Sequence, residues 1–109
     1  MSWSEIDIHE LKSLNATVVV DVRETDEYIA GHIPGAINIP LSQLTESLDA
    51  IPSGAEIHVV CQAGGRSARA CEFLSQQERF SSTQFINVSG GTGAWILEGN
   101  NVVVGDQPH

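Results

Sequence analysis

The sequence predicts an α/β protein with a mainly parallel central sheet and helices on both faces. Three observations carry that reading. Apolar, β-branched runs, residues 17–22 above all, have the unbroken hydrophobicity of strands buried on both sides. Segments with apolar residues at helical spacing lie between these runs, and alternating strands and helices imply right-handed crossovers joining parallel strands. One run, Glu56–Val60, delivers a cysteine, Cys61, to a glycine-containing loop that leads into a further helical segment. In such sheets ligands gather at the carboxyl ends of strands.

In chain order, Asp7 with Glu10 three residues on forms a capping-box pattern, and Ile8, Leu11 and Leu14 recur at helical spacing, so a first helix ends near Asn15. The strand at 17–22 follows, with Asp21 an unexpected charge near its carboxyl end. Residues 25–31 read as a short helix with acids at its start and glycine at its stop. Residues 36–39 are a short strand bracketed by Pro34-Gly35 and Pro40. Leu41, Leu44 and Leu48 then mark one face of another helix, and Pro52-Ser53-Gly54 turns the chain. After Glu56–Val60 the helix at 67–77 sets Ala70, Cys71 and Leu74 on an inner face. Gln84–Val88 is the next strand, and Ser89-Gly90-Gly91 breaks it. Residues 92–97 form a short helix carrying Trp95, and 102–104 return as a last extended piece.

The bulk numbers bound the function. A chain of 109 residues, 41% hydrophobic, fits one compact domain spanning 1–109. Five basic against fourteen acidic side chains give a net charge of −9, which argues against nucleic-acid and anionic-membrane partners. Any anion site must then be local, built from backbone amides and one or two arginines. Two cysteines make no disulfide framework at this size, the N-terminal residues show no export signal, and no apolar run approaches transmembrane length. A reducing cytoplasm is the default location.

The chemistry concentrates at Cys61, Gln62, Ala63, Gly64, Gly65, Arg66 and Ser67. The glycines permit positive φ and close backbone approach, so successive N–H groups can face whatever sits on the sulfur. The following helix start and Arg66 add positive charge, favouring thiolate over thiol. Several effects must act together. A cysteine with a pKa near 8.5 is only a few per cent thiolate at pH 7, and a helix terminus contributing roughly 1 kcal/mol moves it by less than about one unit.

Around this loop the remaining candidates read as support. Asp21 and Arg23 share the rim and pair with neighbours, for instance Arg23 with Glu27. Cys71 reads as a core thiol, Trp95 as core packing, and His32 as a structural hydrogen-bonding residue, while His9 and His58 carry no site signal. The histidines and cysteines lack metal-ligand spacing, so no metal or other cofactor is expected.

Asp21-Val22-Arg23-Glu24 followed by Glu27-Tyr28, then Gly31-His32-Ile33-Pro34-Gly35-Ala36, the run from Cys61 to Ser67, and Gly90-Gly91 with Trp95 together resemble the rhodanese family of sulfurtransferases. The likeness runs from about Ile6 to Val104. It implies a rhodanese fold and a persulfide formed on Cys61. Thiosulfate would be the usual test donor, and cyanide or a thiol, including that of a thioredoxin-like protein, the acceptor. Four residues separate Cys61 from Arg66, whereas cysteine phosphatases use five for a wider tetrahedral cradle, so the loop length favours sulfur over phosphoryl transfer. The rivals are a phosphatase or arsenate reductase and a binding module that kept the fold. For Arg66 the sequence favours a grip on the donor's sulfonate over a role in lowering the thiol pKa.

Overall fold

The computed structural model describes residues 3–14 and 17–109. Among these residues the sheet has five strands, all parallel, in the order β1-β5-β4-β2-β3. They are β1 (Ser4–Ile6), β2 (Val19–Asp21), β3 (Ile37–Asn38), β4 (Glu56–Val60) and β5 (Gln84–Val88), with helices α1 (Ile8–Ser13), α2 (Thr25–Ala30), α3 (Gly65–Ser75) and α4 (Gly91–Leu97) between and after them. β4 occupies the centre, so Cys61 leaves the sheet at its most enclosed position.

Alternation along the strands sorts the core into two layers. On one face Val20, Ile57, Val59 and Phe85 pack with Ala70, Cys71 and Leu74 of α3 and with Leu44 and Ile51. On the other, Val19, Val60 and Val88 pack with Ile8 and Leu11 of α1, Tyr28 of α2 and Trp95 of α4. Helices therefore cover both faces, as the buried β-branched runs require.

Several boundaries differ from the sequence expectation. The strand expected at 17–22 is assigned only to Val19–Asp21, although His58 N–H donates to Val18 O and Val22 N–H to Val60 O, each at 2.9 Å, so strand-like bonding reaches past both ends. β3 covers Ile37–Asn38 rather than 36–39, but Ile39 and Leu41 continue to bond the carbonyls of Asp21 and Val22. The single helix expected from Leu41, Leu44 and Leu48 is two 3-10 segments, Leu41–Glu46 and Leu48–Ala50, separated at Ser47, whose backbone leaves the helical region at φ −121° and ψ 23°. Residues 102–104 do not join the sheet; Val103 makes an isolated antiparallel bridge with His32.

The first helix spans Ile8–Ser13, with Asp7 accepting a bond from Glu10 N–H. Its expected end near Asn15 lies outside the described residues. The third helix begins at Gly65 and stops at Ser75 rather than Gln77. β1 was not legible: Ser4-Glu5-Ile6 is short, half polar and on the sheet edge, with no β-branched run to announce it.

Candidate active site

Cys61 sits at the end of β4 with 1% of its surface exposed. The loop after it is shaped by Gly64, which adopts a left-handed conformation at φ 111° and caps α3. That turn brings Gly64 N–H to 3.1 Å from Cys61 Sγ, and the first turn of α3 brings the Ser67 hydroxyl to 3.3 Å. Burial pushes the Cys61 thiol up. The Ser67 hydroxyl and the backbone N–H groups of Ser67, Gly64 and Ala63 outweigh it, and the net direction is downward.

The loop's carbonyls are held from behind. Thr92 N–H donates to Cys61 O at 2.8 Å and Gly93 N–H to Gln62 O at 2.9 Å, so the first turn of α4 draws both carbonyls away from the sulfur. The N–H groups that act on the sulfur are those of Ala63, Gly64 and Ser67. This approach requires Gly91: a Cβ there would run into Cys61 O and come within 2.7 Å of Gln62 O, and its φ is +61°. In the sequence Ser89-Gly90-Gly91 reads as a strand breaker, and Gly90-Gly91 with Trp95 as part of the family likeness, with no role assigned beside Cys61. A glycine pair opening a helix after the strand next to that of Cys61 was the available signal for this clamp.

Two arginines brace the rim differently from expectation. Arg23 does not pair with Glu27. Its guanidinium lies on Asp21, with Nη2 at 2.9 Å from Oδ2, and also donates to Gly31 O at 2.8 Å and to Gln62 Oε1 at 3.2 Å. Asp21 and Arg23 are 0% and 3% exposed, so this is a buried pair whose remaining donors are used to tie β2, α2 and the cysteine loop together. Glu27 instead receives the two-pronged fork of Arg66 at 2.7 and 2.9 Å, linking α2 to α3. That bond draws the Glu27 carboxyl down to about 2 against the opposing effect of burial. Arg66 is held above its ordinary value first by Glu27, and Cys61 is a weaker influence.

An open pocket of about 510 Å³ is lined by Cys61, Gln62, Ala63, Gly65, Arg66 and Arg69. Gly64 and Ser67 act on the sulfur from beneath it, and Asp21 acts through Arg23. Arg69 was missed by sequence reasoning. It stands one helical turn beyond Arg66, is exposed, and makes no ion pair among the described residues. The i, i+3 spacing of two arginines after the cysteine–glycine loop was the signal that could have found it. A neighbouring groove of about 280 Å³, lined by Arg23, Glu27, Ala30, Gly31, Gln62 and Ile96, extends the mouth toward α2 and α4.

The other candidates sit away from the chemistry. Cys71 is 0% exposed and burial pushes its thiol up to about 12. His32 places its ring nitrogens 2.8 Å from the carbonyl oxygens of Tyr28 and Gln107, and Trp95 Nε1 donates to Asn101 O at 2.7 Å. No cluster of three or more metal-binding side chains occurs among the described residues, and no helix there is long and apolar enough to cross a membrane.

A parallel five-stranded sheet with a buried cysteine on an amide-lined loop at its central strand defines a class of protein, and comparison with known proteins agrees. The rhodanese-like domain family matches residues 7–98, and the chain belongs to that family. A rhodanese-related protein from Thermoplasma volcanium superimposes with a TM-score of 0.82 at 39% identity, covering 94% of this chain and 99% of that one. A sulfurtransferase of Allochromatium vinosum is 31% identical over 104 residues, covering 92% of this chain and 94% of that protein. The match to YqhL of Bacillus subtilis, 39% identical, covers 71% of this chain but 59% of YqhL. For YrkF of the same organism, described as a proposed sulfur carrier, the identity is 34% and the coverage 77% of this chain and 42% of YrkF.

Proposed function

We propose that this chain is a sulfurtransferase that carries sulfane sulfur as a persulfide on Cys61, accepting it from thiosulfate or a similar anionic donor and passing it to a thiol or cyanide. The observation that carries the reading is the convergence of Gly64 N–H from the loop and the Ser67 hydroxyl from the first turn of α3 on a buried Cys61 Sγ. The thiolate attacks the outer sulfur of thiosulfate; the new Sγ–S bond forms as the donor's S–S bond breaks, and its electron pair leaves on sulfite. An acceptor thiolate then attacks the outer sulfur and releases Cys61 as thiolate. Sulfite is a good leaving group, so neither step requires a general acid, and loop amides stabilise the persulfide anion.

A dianionic donor must approach a chain of net charge −9. Arg66 lines the pocket but its fork is already engaged by Glu27, whereas Arg69 lines the same pocket without an ion partner among the described residues. In this reading Arg69 shares the sulfonate with Arg66 and supplies the freer charge. Acceptance by a thioredoxin-like protein, a cytoplasmic setting and action as a single domain are part of the same proposal.

Incubation with thiosulfate followed by intact-mass analysis tests the chemistry. One added sulfur atom, removed by reductant and absent from Cys61→Ser, is expected; no adduct from any sulfane donor would refute it. In steady state, Arg69→Ala should raise the thiosulfate KM roughly fivefold with little change in kcat, as befits a half-solvated charge contact. An unchanged KM would return the sulfonate to Arg66 alone.

A further inference from the structure

The Ser67 hydroxyl has one proton and three acceptors within reach: Asn87 Oδ1 at 2.5 Å, Gly64 O at 3.2 Å and Cys61 Sγ at 3.3 Å. Only one of them can hold the proton well at a time. Ser67 and Asn87 are 0% and 1% exposed, so water does not stand in for the partner that loses it.

The orientation of the Asn87 amide is set at its other end. Its Nδ2 donates to Glu5 Oε2 at 2.7 Å and to Gly64 O at 3.3 Å, and a reversed amide would turn Oδ1 against both of those acceptors. Glu5 and Asn87 are register partners on β1 and β5. The edge strand thus supplies the carboxylate that aims an amide carbonyl at the serine beside the nucleophile.

We propose that Asn87 is a positioning residue for sulfur loading, which accepts the hydrogen bond of the Ser67 hydroxyl when Cys61 carries the outer sulfur and gives that bond up to Sγ when Cys61 is a bare thiolate. The inference deepens the persulfide reading and rests on it. In the thiolate the full negative charge lies on Sγ, and a charged acceptor outbids a neutral amide oxygen, so the hydroxyl turns to sulfur. Asn87 Oδ1 and Ser67 Oγ are then left facing each other without a proton between them, which costs free energy. When Sγ attacks thiosulfate, the charge moves one atom outward as sulfite departs. Sγ, now bonded to a second sulfur, is a weak acceptor, and the hydroxyl turns back to Asn87. The proton stays on Oγ throughout; only its direction changes. Asn87 therefore favours the loaded enzyme over the unloaded one.

The charged groups around this network and Cys61 are Glu5 on β1, bonded to Asn87, Arg66 and Arg69 on α3, which line the pocket with Cys61, and the Asp21–Arg23 pair, bonded to Gln62 of the loop; the primary variants leave all of them in place. Asn87→Leu, Ser67→Ala and the double variant are equilibrated at a fixed thiosulfate-to-sulfite ratio, and the persulfide fraction is read by intact mass. In parallel, peptide-resolved mass spectrometry follows the pH midpoint of Cys61 alkylation. Asn87→Leu should lower the loading constant about fivefold and the alkylation midpoint by about half a unit, the span of one neutral hydrogen bond. Ser67→Ala should move both in the opposite direction, and Asn87→Leu should add nothing in the Ser67→Ala background.

If Asn87→Leu does not fold, Glu5→Ala takes its place. It unpins the amide from the surface, while Glu5→Gln removes the same charge but keeps an acceptor. Glu5→Ala should shift both readouts in the Asn87→Leu direction further than Glu5→Gln does. Loading and midpoint unchanged in Asn87→Leu, or equal in the two Glu5 variants, would overturn the proposal. A wild-type protein that takes sulfur from no donor would instead remove the persulfide reading, and the alkylation midpoints alone would then decide whether Asn87 competes for the Ser67 proton.

Discussion

Cys61 and Cys71 lie ten residues apart, 1% and 0% exposed, on the same side of the sheet, yet their thiols move in opposite directions. Burial opposes ionisation at both. At Cys71 burial acts with the distant charge of Glu5 and the thiol rises to about 12; at Cys61 four donors from three residues overcome it. What sets the Cys61 thiol apart is therefore what converges on the sulfur rather than exposure. The convergence depends on two backbone devices: the left-handed Gly64 and the clamp of α4 on the Cys61 and Gln62 carbonyls.

Breaking the brace behind the loop should have the largest effect. Arg23→Ala strands the fully buried Asp21 carboxylate and releases Gln62, at a cost of about 3–5 kcal/mol. Chemical denaturation should show that loss together with a large fall in sulfur loading. A variant with wild-type stability would mean that the Asp21–Arg23 pair is not the element holding the rim.

Gly91→Ala should come next. A Cβ forced against the carbonyls of Cys61 and Gln62 at positive φ should cost about 2–4 kcal/mol and depress Tm by roughly 10 °C. It sharpens the comparison because the clamp touches only the Cys61 loop: reactivity at Cys61 should fall more than tenfold while Cys71 remains unreactive in the native protein. Equal changes at both cysteines would point to general loosening of the fold.

Cys71→Ala should lose about 1 kcal/mol from a small cavity and leave persulfide formation intact. Loss of loading in that variant would give Cys71 a role in the chemistry that its setting does not provide.

The smallest effect belongs to Glu27. Its folded-state pKa lies below the ordinary 4.5, at about 2, so the Arg66 pair contributes stability that is complete above about pH 4.5 and is lost as pH falls toward 2. The two side chains are about one-third exposed, so that contribution is held to about 1 kcal/mol or less. Glu27→Gln should flatten the stability profile between those limits and leave it nearly unchanged at pH 7 apart from this offset. An unaltered acid limb would contradict the pairing.

Much of this comparison was legible in the sequence, for identifiable reasons. Glu56–Val60 and Gln84–Val88 were readable to the residue because central strands bury nearly every side chain, and Ala70, Cys71 and Leu74 fell on an inner face by period alone. The loop after Cys61 was readable as a turn between strand and helix because strand, glycine and helix follow in one short run. What stayed hidden depends on contacts between distant parts of the chain. The choice of Asp21 rather than Glu27 as partner for Arg23 is made by the side chains' three-dimensional setting. The clamp of Thr92 and Gly93 joins elements about thirty residues apart, and Glu5, on an edge strand with no apolar signature, reaches the site only through Asn87. Arg69 carries no motif signal of its own and gains its place at the mouth only from its position one turn beyond Arg66 on α3.

The claim that loop donors, and not exposure, make Cys61 a thiolate is tested most directly by the pH dependence of its alkylation in the folded protein, with Ser67→Ala beside the wild type. The account predicts a wild-type midpoint below the free-cysteine value of about 8.5 and a rise of about one unit when the hydroxyl is removed, the scale of a hydrogen bond to a charged group. A wild-type midpoint at or above 8.5, with no response to Ser67→Ala, would contradict it.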